Sequence, residues 1–319
     1  MAKVDFNTLS KLFSDEDASR EYLENLRWPN GTICPHCGNM EAYKLTAKEG
    51  SKSPVRKGVY KCKACRKQFT VKVGTIFEDS HIPLNKWLYG IYMMCSSKKG
   101  VSAHQLHRAL GITYKSAWFM CHRIRYAMTQ APLANLLGGV VEVDETYVGG
   151  KPRKNNKGEN VKPTKRGRGT EKTPVVLAVE RDGKARAKKV ERVTAKNLRE
   201  HVQKFVSSDS RIMTDGFTGY RGIGKSFKSH ETVDHGTGEY ARGDVNTNTA
   251  ESWFSLLKRG VIGTFHHISD KHLDRYVDEF AFRWDNRKTT DMERATEMVK
   301  QVAGKRLMYK KLVSEADGS

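Results

Sequence analysis

The spacing of apolar residues divides the chain into a helical first part and a mixed second part. Apolar positions that recur every three or four residues predict helices over residues 18–26, 87–94, 102–110, 114–126, 198–206 and 249–259. Alternating or β-branched runs predict strands over residues 68–73, 140–144, 174–179, 188–193 and 211–215. A capping-box pattern in Ser14 and Asp17 is expected to start the first helix. From residue 139 onward, the order of elements predicts a mixed sheet with flanking helices.

Four of the six cysteines form two closely spaced pairs, Cys34 with Cys37 and Cys62 with Cys65. A C-x-x-C pair sits on a tight turn that aims both thiolates at one point, so two pairs supply a tetrahedral set. This predicts one structural zinc ion in a zinc ribbon. Disulfides are the alternative, but the N-terminus has no signal-peptide pattern, which predicts a reducing compartment and favours zinc.

The two helices predicted at 102–110 and 114–126 flank Gly111 and have the sequence shape of a helix-turn-helix. Any pair of antiparallel helices in a small bundle produces the same pattern. Because a zinc-ribbon pattern precedes them, we expect the second helix to read DNA. The predicted DNA contacts are Lys115, Arg123 and Arg125.

The charge balance sharpens the expected partner. The 319 residues include 57 Lys and Arg against 36 Asp and Glu, a net charge of +21, while 38% hydrophobic residues still allow a core. Double-stranded DNA is the expected polyanion. No apolar run reaches the ~18 residues that span a membrane. A basic loop is predicted at residues 149–172, where Arg153, Lys154, Lys165, Arg166 and Arg168 are expected to follow phosphates.

Three acidic residues are the candidates for chemistry. Asp144 and Asp215 end predicted strands, and Glu251 opens the helix at 249–259. Each acid taken singly is as readily a solvated surface group. Their convergence would require cations, and oxygen ligands favour two Mg²⁺ or Mn²⁺ ions that act on a phosphodiester. Lys258 lies two helical turns after Glu251 and faces the same side.

The start of that helix has two interpretations. Asn248 followed three residues later by Glu251 fits a helix N-cap with an acid at its third position. In that case Glu251 bonds its own helix end. In the functional interpretation Glu251 is the third metal ligand, and the two roles can coexist because a carboxylate has two oxygens.

Four strings resemble the ISXO-like insertion-sequence transposases. They are residues 143–150 (Val-Asp-Glu-Thr-Tyr-Val-Gly-Gly), 214–220 (Thr-Asp-Gly-Phe-Thr-Gly-Tyr), 248–260 (Asn-Thr-Ala-Glu-Ser-Trp-Phe-Ser-Leu-Leu-Lys-Arg-Gly) and 282–287 (Phe-Arg-Trp-Asp-Asn-Arg). The resemblance implies a zinc ribbon followed by a DDE catalytic domain of ribonuclease-H-like fold. It implies Asp144, Asp215 and Glu251 as the catalytic triad, Lys258 as the accompanying basic residue, and Asn248 as an alternative third ligand.

The resulting prediction is a multidomain α+β protein. Its parts are expected at residues 1–28 (N-terminal helix), 29–80 (zinc ribbon), 81–135 (helix-turn-helix-like segment), 136–300 (ribonuclease-H-like core) and 301–319 (basic tail). The expected function is transposition: cleavage at terminal inverted repeats and joining to target DNA, by a homo-oligomer in a bacterial or archaeal cytoplasm. Arg259 joins Lys258 as an expected DNA contact. The alternatives are a DNA-binding regulator with an inactive core and a structure-specific nuclease.

Overall fold

The computed structural model describes residues 10–11, 13–46, 55–129, 136–149, 170 and 172–314. The five cations Arg153, Lys154, Lys165, Arg166 and Arg168 lie outside the described residues. In the described part, the strands are β1 (Ala42–Lys44), β2 (Tyr60–Cys62), β3 (Gln68–Phe69), β4 (Val140–Val148), β5 (Thr173–Glu180), β6 (Ala185–Lys189), β7 (Arg211–Asp215) and β8 (Ser229–Val233).

The α-helices lie before, between and after these strands in the chain. They are α1 (Glu16–Arg27), α2 (Leu84–Ser96), α3 (Ala103–Leu110), α4 (Tyr114–Met128), α5 (Ala195–Phe205), α6 (Asn248–Gly260), α7 (Leu273–Asp285), α8 (Asp291–Lys300) and α9 (Tyr309–Ser314). No helix in the described ranges is both long enough and apolar enough to cross a membrane.

The chain forms two compact units. The first comprises Met1–Ser97, Val101–Met128 and Thr289–Ser319, and the second comprises Lys98–Gly100 and Thr129–Lys288. Residues 289–314 therefore belong to the first unit, whereas the sequence pattern placed residues 289–300 in the catalytic domain. The physical reason is that α8 buries its apolar side, including Met298, within the first unit.

The first unit begins with α1 and a small antiparallel sheet of order β1-β2-β3. Trp28, after α1, packs edge-on against Tyr60 and Phe69 at ring distances of 5.3 and 5.9 Å. The N-cap of α1 is Asp15, which accepts a hydrogen bond from the Ala18 amide, so the expected Ser14 cap is wrong. The strand expected at 68–73 ends at Phe69 because the following residues form turns.

Helices α3 and α4 confirm the helical pair expected around Gly111. Ser102 caps α3 by accepting from the Gln105 amide, and Gly111 ends it with φ of 58°, a left-handed conformation that glycine adopts without strain. Lys115 is exposed at the start of α4. Arg123 and Arg125 are instead buried, with 4% and 2% exposure. Arg123 packs over the Trp87 ring and donates to the Glu78 carbonyl, so it acts in the core.

The second unit is built on a five-stranded mixed sheet of order β6-β5-β4-β7-β8. Strands β4, β5 and β6 are antiparallel neighbours, while β4, β7 and β8 run parallel. This is the ribonuclease-H-like α/β core expected from the resemblance. Strands β5 and β6 form a hairpin around Asp182, and β6 spans Ala185–Lys189 rather than the expected 188–193.

Helices cover both faces of this sheet. One face packs against α6 and α7 through a core that includes Leu177, Trp253 and Phe280. The other packs against α5 through Val143 and Val202 in a separate core cluster. The alternation of side chains along β4 thus assigns odd-numbered residues to the α5 face and even-numbered residues to the α6 face.

The end of α6 makes a close backbone approach. A Cβ placed on Gly260 would lie 2.3 Å from Cζ of Phe280 and 2.9 Å from the carbonyl oxygen of Lys99. Both neighbours belong to the same unit. Because a backbone carbonyl cannot rotate away as a flexible side chain can, only glycine fits this position.

We expect Gly260→Ala to lower the free energy of unfolding by about 1–3 kcal/mol through overpacking. The matched control is Gly263→Ala, since a Cβ there meets nothing within 4 Å. Thermal and urea unfolding of the full chain measure both changes. Equal stability of the two variants would contradict the close approach at Gly260.

Candidate active site

Asp144 and Asp215 lie on the two central parallel strands. The register pairs Val140 with Arg211 and Glu142 with Met213. Two residues further along each strand, Asp144 and Asp215 come level and, by alternation, share the face that α6 covers. Both side chains are partly buried. The parallel pairing of β4 with β7 thus brings together two acids that are 71 residues apart in the sequence.

The pKa of Asp144 responds to its burial and to the neighbouring acids. Burial, followed by the negative charges of Glu145, Asp215 and Glu251, raises the pKa of Asp144 to about 7. A hydrogen bond of 2.8 Å from the Glu145 amide to Oδ1 of Asp144 acts in the opposite direction. The structure therefore places Asp144 within electrostatic range of Asp215 and Glu251.

Glu142 sets the position of Glu251. Its carboxylate is fully buried and accepts from the amides of Thr249 and Ala250 at 2.7 and 3.0 Å, and from the Thr249 hydroxyl at 2.9 Å. These amides lie in the first turn of α6 and have no hydrogen-bond acceptor within the helix itself. The helix dipole also favours a negative charge at this end. A carboxylate on β4 therefore caps the helix that carries Glu251.

Arg181 completes this buried contact. Its Nε donates to Glu142 at 2.7 Å, and its Nη2 donates to the Asn246 carbonyl at 3.1 Å and to the Met213 sulfur at 3.0 Å. One guanidinium thus joins β4, β7 and the segment that precedes α6. The pattern of the sequence did not single out Glu142 or Arg181, although a glutamate inside a β-branched run is a signal of a buried charge that needs a partner.

The capping interpretation of Asn248 is wrong. Helix α6 begins at Asn248 itself, and the N-cap is Thr247, which makes no side-chain capping bond. The carboxylate of Glu142 takes that role from another strand. The side chain of Glu251 is exposed and lines a cavity, and Asn248 is exposed at the start of the helix.

This cavity has a volume of about 760 Å³. It is lined by the acids Asp144, Glu145 and Glu251 and by the cations Lys99, Lys258 and Arg259. The lining is completed by Thr146, Phe254, Ser255, Ile262 and Gly263. The predicted basic residues Lys258 and Arg259 are therefore placed beside the acids, and Lys99 is a further cation that the sequence pattern did not single out.

Two hydrogen bonds from neighbouring residues hold the carboxylates of Glu145 and Asp215 in place. The hydroxyl of Tyr220 donates to Glu145 at 2.8 Å, and Tyr220 is buried, with a pKa raised well above its usual value by desolvation and by Glu145. The Phe217 amide donates to Oδ1 of Asp215 at 3.1 Å. Both Phe217 and Tyr220 belong to the same string at 214–220 as Asp215.

The four predicted zinc ligands meet in the first unit. The sulfur atoms of Cys34, Cys37, Cys62 and Cys65 all lie within 4.8 Å of one another. Among the described residues, the carboxylates of the second unit are not packed that closely. Four thiols at this spacing fit the tetrahedral thiolate set of a structural zinc ion. Cys95 and Cys121 are buried apart from this group.

Comparisons with known proteins agree with this arrangement. Residues 136–285 match the ISXO2-like transposase domain, and residues 14–68 match the transposase zinc-ribbon domain. An uncharacterized protein in transposable element ISH50 of Halobacterium salinarum is 31% identical over 287 residues, which cover 86% of this chain and 92% of that protein.

A solved structure adds little to these matches. The crystal structure of a pre-cleavage Mos1 transpososome aligns over 68% of this chain and 75% of that chain, at 14% identity and a TM-score of 0.26. A likeness at this level carries no argument about fold or function. The domain matches and the relative, together with the acids on β4, β7 and α6, show that this chain belongs to the ISXO2-like family of insertion-sequence transposases.

Proposed function

We propose that this chain binds the terminal inverted repeats of an insertion sequence, cleaves one strand and joins it to target DNA. The observation that carries the proposal is that Asp144 and Glu251 line one cavity together with three cations, while Asp215 lies level with Asp144 on the neighbouring strand. Hydrolysis of a phosphodiester would leave a 3′-hydroxyl, which then attacks a phosphodiester of the target and displaces a target 3′-oxygen.

The donor set fits divalent metal ions. Oxygen ligands favour Mg²⁺ or Mn²⁺, and a site where neighbouring negative charges raise the pKa of Asp144 gains from cations that offset the repulsion. Two such ions, when bound, activate the attacking hydroxyl and stabilise the leaving oxygen. Asp144, Asp215 and Glu251 would hold them. The cavity placement of Glu251 supports it over Asn248 as the third ligand.

The cations that line the cavity would bind the DNA backbone. Lys258 lies seven residues after Glu251, about 10 Å along α6, and Lys99 and Arg259 line the same cavity. Their charges would position the phosphates and make binding salt-dependent. Lys115 on the exposed start of α4 is a further proposed contact, whereas the burial of Arg123 and Arg125 removes them from the proposed DNA surface.

The remaining parts of the proposal follow from the family. The four cysteines would hold one structural zinc ion, and two DNA ends joined in one reaction would require a homo-oligomer. A transposase of this family that acts on chromosomal DNA would work at the nucleoid, in a bacterial or archaeal cytoplasm.

The direct test is cleavage of duplex DNA that carries the element's own terminal repeats, with Mg²⁺ or Mn²⁺. We expect Asp215→Asn to lower the cleavage rate on the order of 10³-fold because a ligand is lost, with DNA binding in gel shifts little changed. Asp209→Asn, an exposed acid in the segment before β7, is the matched control and should cleave as wild type.

Three outcomes decide between functions. Joined products from wild type support a transposase, and nicks without joining support a nuclease. Binding without any nick from wild type would indicate a DNA-binding regulator.

The raised pKa of Asp144 predicts a pH dependence. In the metal-free protein the folded state keeps this proton up to about pH 7, whereas the unfolded state loses it near 3.8. The contribution of Asp144 to stability therefore falls as pH rises between these values. Metal binding must release the same proton, so Mg²⁺ affinity should fall about tenfold per pH unit below 7.

We expect Asp144→Asn to flatten both dependences. Melting temperatures in EDTA from pH 4.5 to 8 should decline less in the variant than in wild type. Added Mg²⁺ at pH 8 should raise the melting temperature of wild type only. Parallel curves for the two proteins would contradict the assignment.

The contact between Glu142 and Arg181 is proposed to position Glu251. Removing the guanidinium in Arg181→Met leaves a fully buried carboxylate without its counter-charge, which should cost about 3 kcal/mol of stability. Adding Glu142→Gln should recover part of that loss, because a neutral amide needs no counter-charge. Arg192→Met, at an exposed arginine of the same unit, is the control.

The readouts are urea unfolding and the cleavage rate. If Glu142 acts by placing α6, the single variant Glu142→Gln should lower cleavage while DNA binding persists. Additive losses in the double variant would show that the two residues act independently.

A further inference from the structure

One face of α6 and its continuation lines the cavity. Glu251, Ser255, Lys258 and Ile262 follow one another at spacings of four, three and four residues, and all four contact the same cavity. Residues at this spacing project from one side of a helix. Along this side the chemistry changes in order from an acid to a hydroxyl, a cation and finally an apolar tip.

The apolar tip is unusually open to solvent. Ile262 is 73% exposed, the largest value among the exposed large hydrophobic side chains of the described residues. A scattered surface isoleucine needs no explanation, but this one lies in the catalytic cavity beside Lys258 and Arg259. Burial of the Ile262 side chain against a bound partner would be favourable. The neighbouring cations Lys258 and Arg259 favour a polyanion as that partner.

The segment that carries Ile262 is anchored on its inner side. Val261 to Phe265 forms a π-helical continuation of α6, a feature that often occurs at functional sites. Val261 and Phe265 pack against the core of the second unit, and Phe265 contacts Tyr276 edge-on at 4.8 Å. The backbone at Ile262 is thus fixed while its apolar side chain points outward. Binding a partner through this side chain would therefore cost little conformational entropy of the protein.

We propose that Ile262 inserts between two base pairs of the bound DNA and unstacks them. Apolar side chains, isoleucine among them, act in this way in DNA-bending proteins. Eleven residues separate Ile262 from Glu251, about 16 Å at a helical rise, which corresponds to roughly three to five base pairs from the reacting phosphodiester. This inference rests on the proposed function, since it requires DNA in the cavity.

A wedge at this place would contribute specificity that no phosphate contact supplies. Lys258 and Arg259 bind any sequence equally, whereas the cost of unstacking depends on the base step, and pyrimidine–purine steps open most easily. The terminal repeat would then be selected in part by a flexible step three to five base pairs from the cleavage site.

The test scans 2-aminopurine along duplex DNA that carries the element's terminal repeat, with full-length protein and Ca²⁺ in place of Mg²⁺ to prevent cleavage. Wild type should raise the fluorescence at one step within this interval. Ile262→Ala should lose the rise and bind about tenfold more weakly, whereas Ile262→Leu should keep it. Leu136→Ala, at another exposed apolar residue of the same unit, should behave as wild type.

A second variant separates this inference from the proposed function. Glu251→Gln should lose cleavage in Mg²⁺ yet keep the fluorescence rise, because the wedge does not depend on the chemistry. Cleavage by wild type with no fluorescence change that depends on Ile262 would overturn the wedge and leave the transposase intact. A rise that depends on Ile262 in a wild-type protein that never cleaves would overturn the proposed function but support the wedge. A loss of self-association in Ile262→Ala, with unstacking unchanged, would assign the residue to a protein interface and overturn the inference.

Discussion

The buried carboxylate of Glu142 is the contact on which the catalytic arrangement depends. It lies on the central strand of the sheet, two residues before Asp144, and it accepts from the first free amides of α6 and from Arg181. A buried charge is costly unless it is paired and hydrogen-bonded, so few other placements of the helix satisfy it. This requirement places the start of α6, and with it Glu251, against the strand that carries Asp144.

The contact of Glu142 with α6 also has an electrostatic consequence. With α6 held in this position, Asp144 and Glu251 line one cavity, and burial together with the charges of Glu145, Asp215 and Glu251 raises the pKa of Asp144. The same helix carries Lys258 and Arg259, which line the same cavity. One helix thus supplies both the acid that would bind cations and the cations that would bind phosphate, and the distance between them is set by the helical rise.

Local patterns in the sequence predicted most elements and the identity of the acids. Strand β4 could be predicted because a β-branched run ends in an acidic residue. The zinc ligands could be predicted because the C-x-x-C spacing of the cysteine pairs is typical of a tetrahedral site. Strand β8 and helices α7 and α8 were not predicted. Strand β8 has mainly polar residues (Ser-His-Glu-Thr-Val) and joins the sheet through its pairing with β7. Arg123 and Arg125 look like surface cations in a basic chain, yet packing over Trp87 and related contacts buries Arg123 in the core.

The sequence by itself determined the residue types: two acids after β-branched runs, a third at a helix start, four paired cysteines and a strong positive charge. Spacing and composition are local or additive quantities, and they can therefore be read without the fold. Only the tertiary structure decided that Asp144 and Asp215 are level, that Glu142 rather than Asn248 caps α6, and that Lys99 and Ile262 line the same cavity. Those facts depend on strand register and on the pairing of a buried charge, which join residues far apart in the chain and leave no mark in local pattern.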